Sequence, residues 1–196
     1  ALNDNHLANY WIHNGHINVE GVKMSKSLGN FILAKDFIKN HKPNVIKLAM
    51  FKTHYRLPFN IKEELLNECN LINDKIYNSL KQANLLIQIK NLEANKITKD
   101  DNINKIMDED FNTPNLITYL LELVKELNSN IRSNKDITTT YDKILLITKI
   151  LGLHYEFTTL TASDKTLYQN WLEAKKNKDF NTADTIREDL INRNII

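Results

Sequence analysis

Apolar positions recur at helical spacing over most of the chain. Leu65, Cys69, Ile72, Ile76, Leu80, Ala83 and Ile87 step by four and three, and no Gly or Pro interrupts them before residue 90. One long helix is predicted there, with Asn60 and Glu63 as its N-cap pair. A second stripe, Leu116, Leu120, Leu123, Val124, Leu127 and Ile131, follows Asn112-Thr113-Pro114, a cap and first-turn proline. Tyr141 to Leu151 continues the pattern and stops at Gly152. A shorter helix is expected at about 101–109, after a polar connector from Asn91 to Asp101; Ser133 to Thr140 reads as a loop. Burial of the Leu and Ile faces against one another predicts an antiparallel bundle.

The flanks carry shorter elements. Ala34 to Lys39 reads as one helix, and Pro43 opens another through Val45, Ile46, Leu48, Ala49 and Phe51, closed off by Pro58. After a linker from His154 to Ala162, Ser163 or Asp164 caps a helix with Leu167, Trp171 and Leu172. Asn181 with Asp184 caps a last one with Ala183, Ile186 and Leu190. Alternation of period two appears only near the start, where Ile17, Val19 and Val22 flank Glu20-Gly21 as a short hairpin. Leu7 to Ile12 reads as a last strand or helix edge of a truncated domain. No strand is expected after residue 30, and the fold class is mainly α.

Composition narrows the picture. With 196 residues, 42% hydrophobic and 26% charged, the chain has an ordinary soluble globular make-up and room for one large or two small domains. A net charge of +2 announces no nucleic acid, so any RNA contact must come from local patches. The single cysteine, Cys69, excludes an internal disulfide and fits a reducing compartment, the cytoplasm by default. Its place on the apolar stripe marks it as a core thiol rather than a reactive or metal-bound one. No apolar run reaches the length of a membrane span.

The chemistry concentrates in Lys23-Met24-Ser25-Lys26-Ser27, bracketed by Gly21 and Gly29. Two ammonium groups, two hydroxyls and a mobile backbone suit a clamp on polyphosphate. No glycine-rich run precedes the lysine, so this is not a P-loop; on spacing alone, a solvated basic turn explains it equally well. His13 and His16 form a His-x-x-His pair that no cysteine or carboxylate completes, and they read as structural or surface histidines. Trp11 reads as packing.

The five-residue loop string has flanks that extend it: Asn9 to Gly15 before it, Leu28-Gly29-Asn30-Phe31 after it, then His54-Tyr55-Arg56-Leu57-Pro58, Met107 to Pro114 and Lys178 to Asp184. In order and over essentially the whole chain, these motifs resemble the C-terminal part of the bacterial cysteinyl-tRNA synthetases, a family of class I aminoacyl-tRNA synthetases. The resemblance implies the end of a nucleotide-binding α/β domain with the signature loop and stem-contact region (1–58), a helical bundle (59–154), and the start of a small C-terminal anticodon-recognition domain (155–196). It implies ATP with Mg2+, and Zn2+ in the intact family enzyme. The implied partners are tRNA(Cys), cysteine and ATP, without a membrane and with the chain as a monomer.

The same resemblance matches Lys26 to the ATP-contacting catalytic lysine, with Lys23 as its helper and Ser25 and Ser27 as phosphate donors or loop-shaping residues. Arg56 matches the stem-contact region, as a tRNA phosphate ligand or a junction residue. Trp171, Lys175, Lys176, Lys178, Arg187 and Arg193 gather aromatic and basic groups for RNA, although Glu173, Asp179, Glu188 and Asp189 interleave with them as on a solvated face. The family's His-Ile-Gly-His quartet and zinc ligands have no counterpart here, so the chain is expected to be a fragment without adenylation activity of its own. Two other readings stay open: a ligase joining cysteine to a glucosamine–inositol sugar, against which the final helical hairpin argues, and a non-catalytic helical tRNA-binding or interaction module.

Overall fold

The computed structural model describes residues 8–93 and 97–196. Helices dominate, with one small sheet near the start. Strands β1 (Ile17–Val19) and β2 (Val22–Lys23) form the expected hairpin. Its turn residues Glu20 and Gly21 both take positive φ (49° and 80°), as a type I′ turn demands. Residues 8–12, expected as a strand or helix edge, are irregular and exposed, and Leu7 lies outside the described residues. Helices α1 (Ala34–Asn40) and α2 (Pro43–Phe51) follow, the latter with proline in its first turn.

A strand after residue 30 does exist, contrary to the sequence expectation. β3 (Phe59–Ile61) runs parallel to β1, pairing Phe59 with Ile17 and Ile61 with Val19, and completes a sheet of order β2-β1-β3. Three residues are too few for a period-two signal, and the pairing is non-local. Asn60 therefore sits in β3 rather than at a helix cap, and its side-chain oxygen accepts the Gly21 N–H at 2.8 Å. The following helix α3 (Glu63–Lys90) starts from Lys62 without a side-chain cap.

The remaining helices are α4 (Asp101–Asp108), α5 (Thr113–Arg132), α6 (Thr138–Ile150), α7 (Ala162–Lys176) and α8 (Phe180–Asn192). Asn112 caps α5 as expected, accepting from Asn115 N at 3.2 Å. Three starts differ from the sequence reading. α6 begins at Thr138, not Tyr141, because the Asp136 carboxylate takes both the Thr138 N–H (3.1 Å) and its hydroxyl (2.8 Å). Thr161 caps α7, with Asp164 closing a capping box rather than serving as the cap. Asp179 caps α8, accepting from Thr182 N, in place of Asn181.

Two cores result. The main one joins α2 to α6 around Leu48, Cys69, Ile76, Leu116, Leu120 and Ile144, with Phe59 and Ile61 of the sheet packed against it. The second gathers Tyr168, Leu190 and Ile195 of the α7–α8 hairpin region around Leu85 of α3. The stripe on α3 accordingly changes face: Leu66 and Leu85 are buried, whereas Leu65, Ile72 and Ile87 are half-buried. Lys81 and Gln88 fasten the hairpin region to α3. Lys81 donates to Asn194 Oδ1 (2.9 Å), and the Gln88 amide binds Thr158 O (3.0 Å) and Leu160 N (2.8 Å).

Candidate functional site

The loop from Lys23 to Asn30 leaves the edge strand β2 and is closed by its own side chains. Ser25 N–H donates to Asn30 Oδ1 at 2.9 Å, and Asn30 Nδ2 donates to the Lys23 carbonyl at 3.2 Å. Ser25 Oγ accepts from Leu28 N–H (3.3 Å) and shares a hydrogen bond with Ser27 Oγ (3.2 Å). Gly29 N–H reaches the Lys26 carbonyl at 3.3 Å, and Gly29 takes φ 68°, open only to a residue without a Cβ at small cost. Lys23, Lys26 and Ser27 are exposed. Among the described residues neither lysine has a carboxylate partner; the Lys26 ammonium rests 5.8 Å from the centroid of the Phe31 ring. Both serine hydroxyls are occupied inside the loop, so they shape it in this conformation.

The sheet decides what neighbours this loop. Met24 N–H binds the Ile17 carbonyl at 2.9 Å, and Ile17 pairs with Phe59. The loop and the His54–Pro58 stretch therefore leave from the same end of the sheet. Gly15 N–H donates to the Tyr55 carbonyl at 2.7 Å, and a Cβ on Gly15 would lie 2.1 Å from the Leu57 carbonyl oxygen. Only glycine permits this approach.

Arg56 is tied to the α4–α5 turn. Its Nε donates to Asp110 Oδ2 at 2.7 Å, Tyr55 Oη donates to Asp110 Oδ1 at 2.7 Å, and the Asp110 carbonyl meets His54 Nε2 at 2.9 Å. Arg56, and then Tyr55, hold the Asp110 carboxyl below the usual carboxylate range, and Asp110 raises the Tyr55 phenol in return. Asp110 and Phe111 both adopt left-handed φ (52° and 54°), an uncommon pair for non-glycine residues. Arg56 keeps most of its side chain exposed (64%) while fixing the junction. Beside this network lies an apolar cavity of about 480 Å³, lined among others by Ile12, Ile17, Met50, Phe111 and Ile150.

The other RNA residues nominated from the sequence lie elsewhere. Leu85, where the hairpin packs, is roughly 33 Å along α3 from Glu63 at 1.5 Å per residue. Trp171 is half-buried against Tyr168, and the Lys175 ammonium lies 4.2 Å from the centroid of its ring. Arg187 is exposed on α8. Arg193, by contrast, is held by two carboxylates, Asp164 (3.0 Å) and Asp189 (2.9 Å). Cys69 is fully buried, and burial pushes its thiol up to about 11. Sequence reasoning missed Asn30, Asn60 and Asp110. For Asn30 and Asp110 the available signal was an Asx residue beside turn or left-handed backbone.

Among the described residues, no three His, Cys, Asp or Glu side chains are grouped to hold a metal ion, and no helix is long and apolar enough to cross a membrane.

Comparison with known proteins places this loop in context. The family described as tRNA synthetases class I (C) catalytic domain matches residues 1–71, and the DALR domain family matches residues 102–156. Residues 1–71 are thus similar to the class I tRNA synthetase family. Within it, the similarity is to proteins named Cysteine--tRNA ligase. That of Mycoplasma mycoides subsp. mycoides is 36% identical over all of this chain and 46% of its own length. That of Oceanobacillus iheyensis is 36% identical, and that of Bacillus cytotoxicus 38%, each over all of this chain and 45% of the relative. The chain spans about half the length of these curated relatives.

Proposed function

We propose that this chain is part of a cysteine–tRNA ligase, which charges tRNA(Cys) with cysteine at the expense of ATP. The reading is carried by the Lys23–Ser27 loop: two exposed lysines without carboxylate partners among the described residues, on a glycine-flanked loop. In the proposed reaction the cysteine carboxylate attacks the α-phosphate of ATP, forming an aminoacyl-adenylate and releasing pyrophosphate. A ribose hydroxyl at the tRNA end then takes the aminoacyl group and releases AMP. Charge builds on the departing pyrophosphate, and Lys26 leaves the Phe31 ring to meet it, assisted by Lys23. Mg2+, when bound with ATP, would share that neutralisation. Zinc finds no grouped ligands among the described residues.

We read residues 1–58 as the loop-bearing end of the catalytic domain with its stem contact, 59–154 as the bundle, and 155–196 as an RNA-reading module. Arg56, exposed beside the sheet end from which the loop departs, is available to a phosphate of the acceptor arm while it remains on Asp110. Trp171, Lys175 and Arg187 supply stacking and charge on the hairpin. The proposed setting is the cytoplasm, with the chain acting as a monomer.

The test is binding of this chain to transcribed tRNA(Cys) and to a non-cognate tRNA across a salt series. Preference for the cognate RNA, abolished by changing its anticodon, is the expected result. Equal weak binding that vanishes with salt would leave only generic phosphate attraction and defeat the RNA-reading assignment.

A further inference from the structure

One side chain besides the lysines and serines bonds to two points of the loop backbone. Asn30 uses both ends of its carboxamide: the oxygen takes Ser25 N–H at 2.9 Å, and the nitrogen donates to the Lys23 carbonyl at 3.2 Å. Those two backbone groups flank Met24 at the root of the loop, and Lys26 follows directly. Asn30 is half-buried, whereas Lys23, Lys26 and Ser27 are exposed. The only other cross-loop bonds among the described residues are the Ser25 hydroxyl contacts and the Lys26–Gly29 turn, all at 3.2 Å or longer. Two cations on a flexible backbone lose affinity to ordering when they close on a ligand, and a loop already folded back on itself loses less.

We propose that Asn30 is the positioning residue of the loop, clasping its root so that Lys23 and Lys26 are presented together to polyphosphate. This inference rests on the polyphosphate reading of the loop given above. Asn30 touches no phosphate itself; it acts through the backbone of Lys23 and Ser25. Alanine at position 30 removes both bonds, whereas aspartate keeps the acceptor for Ser25 N–H and loses the donor to Lys23.

The experiment compares the wild-type chain with Asn30→Ala, Asn30→Asp and Lys26→Ala. Amide exchange at Ser25 is followed by NMR, and inorganic tripolyphosphate is titrated as the probe. Expected in Asn30→Ala is loss of Ser25 protection with helix amides unchanged, and binding weakened about threefold to tenfold. Asn30→Asp should retain Ser25 protection, and Lys26→Ala should lose binding while retaining it. Ser25 protection surviving in Asn30→Ala, or tripolyphosphate affinity equal to wild type in that variant, overturns the assignment of Asn30. A wild-type chain that binds no tripolyphosphate, with Ser25 still protected, overturns the polyphosphate reading and the inference with it, and leaves the clasp as loop architecture only.

Discussion

Arg56 and Asp110, 54 residues apart in sequence, form a two-bonded ion pair, with Nε to Oδ2 at 2.7 Å and Nη2 to Oδ1 at 3.4 Å. Tyr55 shares the same carboxylate, so the segment leading into β3 is locked to the turn between α4 and α5. Because the Asp110 pKa is depressed in the fold, the pair stabilises above the ordinary value of 3.8 and loses that effect as pH falls through the lower folded value. Asp110→Asn should flatten the dependence of the thermal midpoint on pH in that acid window. An unchanged acid limb would show that the pair contributes nothing to stability.

Leu120 is fully buried where α5 meets the rest of the bundle. Leu120→Ala should lower stability by about 2–5 kcal/mol, and Leu120→Asp should prevent cooperative folding. Denaturant titration of the first and circular dichroism of the second measure this.

Gly15 has no room for a side chain, since a Cβ there would come within 2.1 Å of the Leu57 carbonyl oxygen. Gly15→Ala should therefore break the Gly15–Tyr55 bond and release residues 8–16 to proteolysis, while the α7–α8 hairpin stays protected. Gly29→Ala meets no neighbour and is disfavoured only by its φ of 68°, at about 1 kcal/mol.

Much of this architecture was legible in the sequence, because long helices repeat their signal many times. The stripes of α3 and α5, Pro43, the Asn112 cap and the Glu20-Gly21 turn all correspond to observed elements. Helix starts were harder, because several Asx and Thr residues near each start compete for the same N–H groups: Thr161 and Asp179 prevailed over nearby rivals. β3 was invisible because its partner lies some forty residues earlier. In the site, the lysines were legible as a motif. The carboxylate that engages Arg56 was not, since it lies 54 residues away and acts through tertiary proximity; the Asn30 amide is local to the loop but carries only the general signal of an Asx residue at a turn.

Cys69 offers a probe of the core. Buried completely, with its thiol pushed up to about 11, it should react with thiol reagents only when the bundle opens. Labelling rates across a denaturant series should follow unfolding; fast labelling of the native chain would contradict the burial.

For the hairpin, Arg187→Ala should weaken RNA binding nearly uniformly and reduce the salt slope by about 1 if this side chain meets a phosphate. Trp171→Ala should lower the thermal midpoint as well as RNA affinity, because its ring also packs in the second core. A slope unchanged in Arg187→Ala removes that residue from the interface.

The 28-residue span of α3 gives the molecule a built-in ruler. One end follows directly from the sheet that bears the loop, and the other end seats the hairpin. A single residue added midway along such a rod would swing the hairpin by about 100° around the axis and carry it about 1.5 Å further away. Length variation should therefore be tolerated between the rod and α4, and heavily penalised within it.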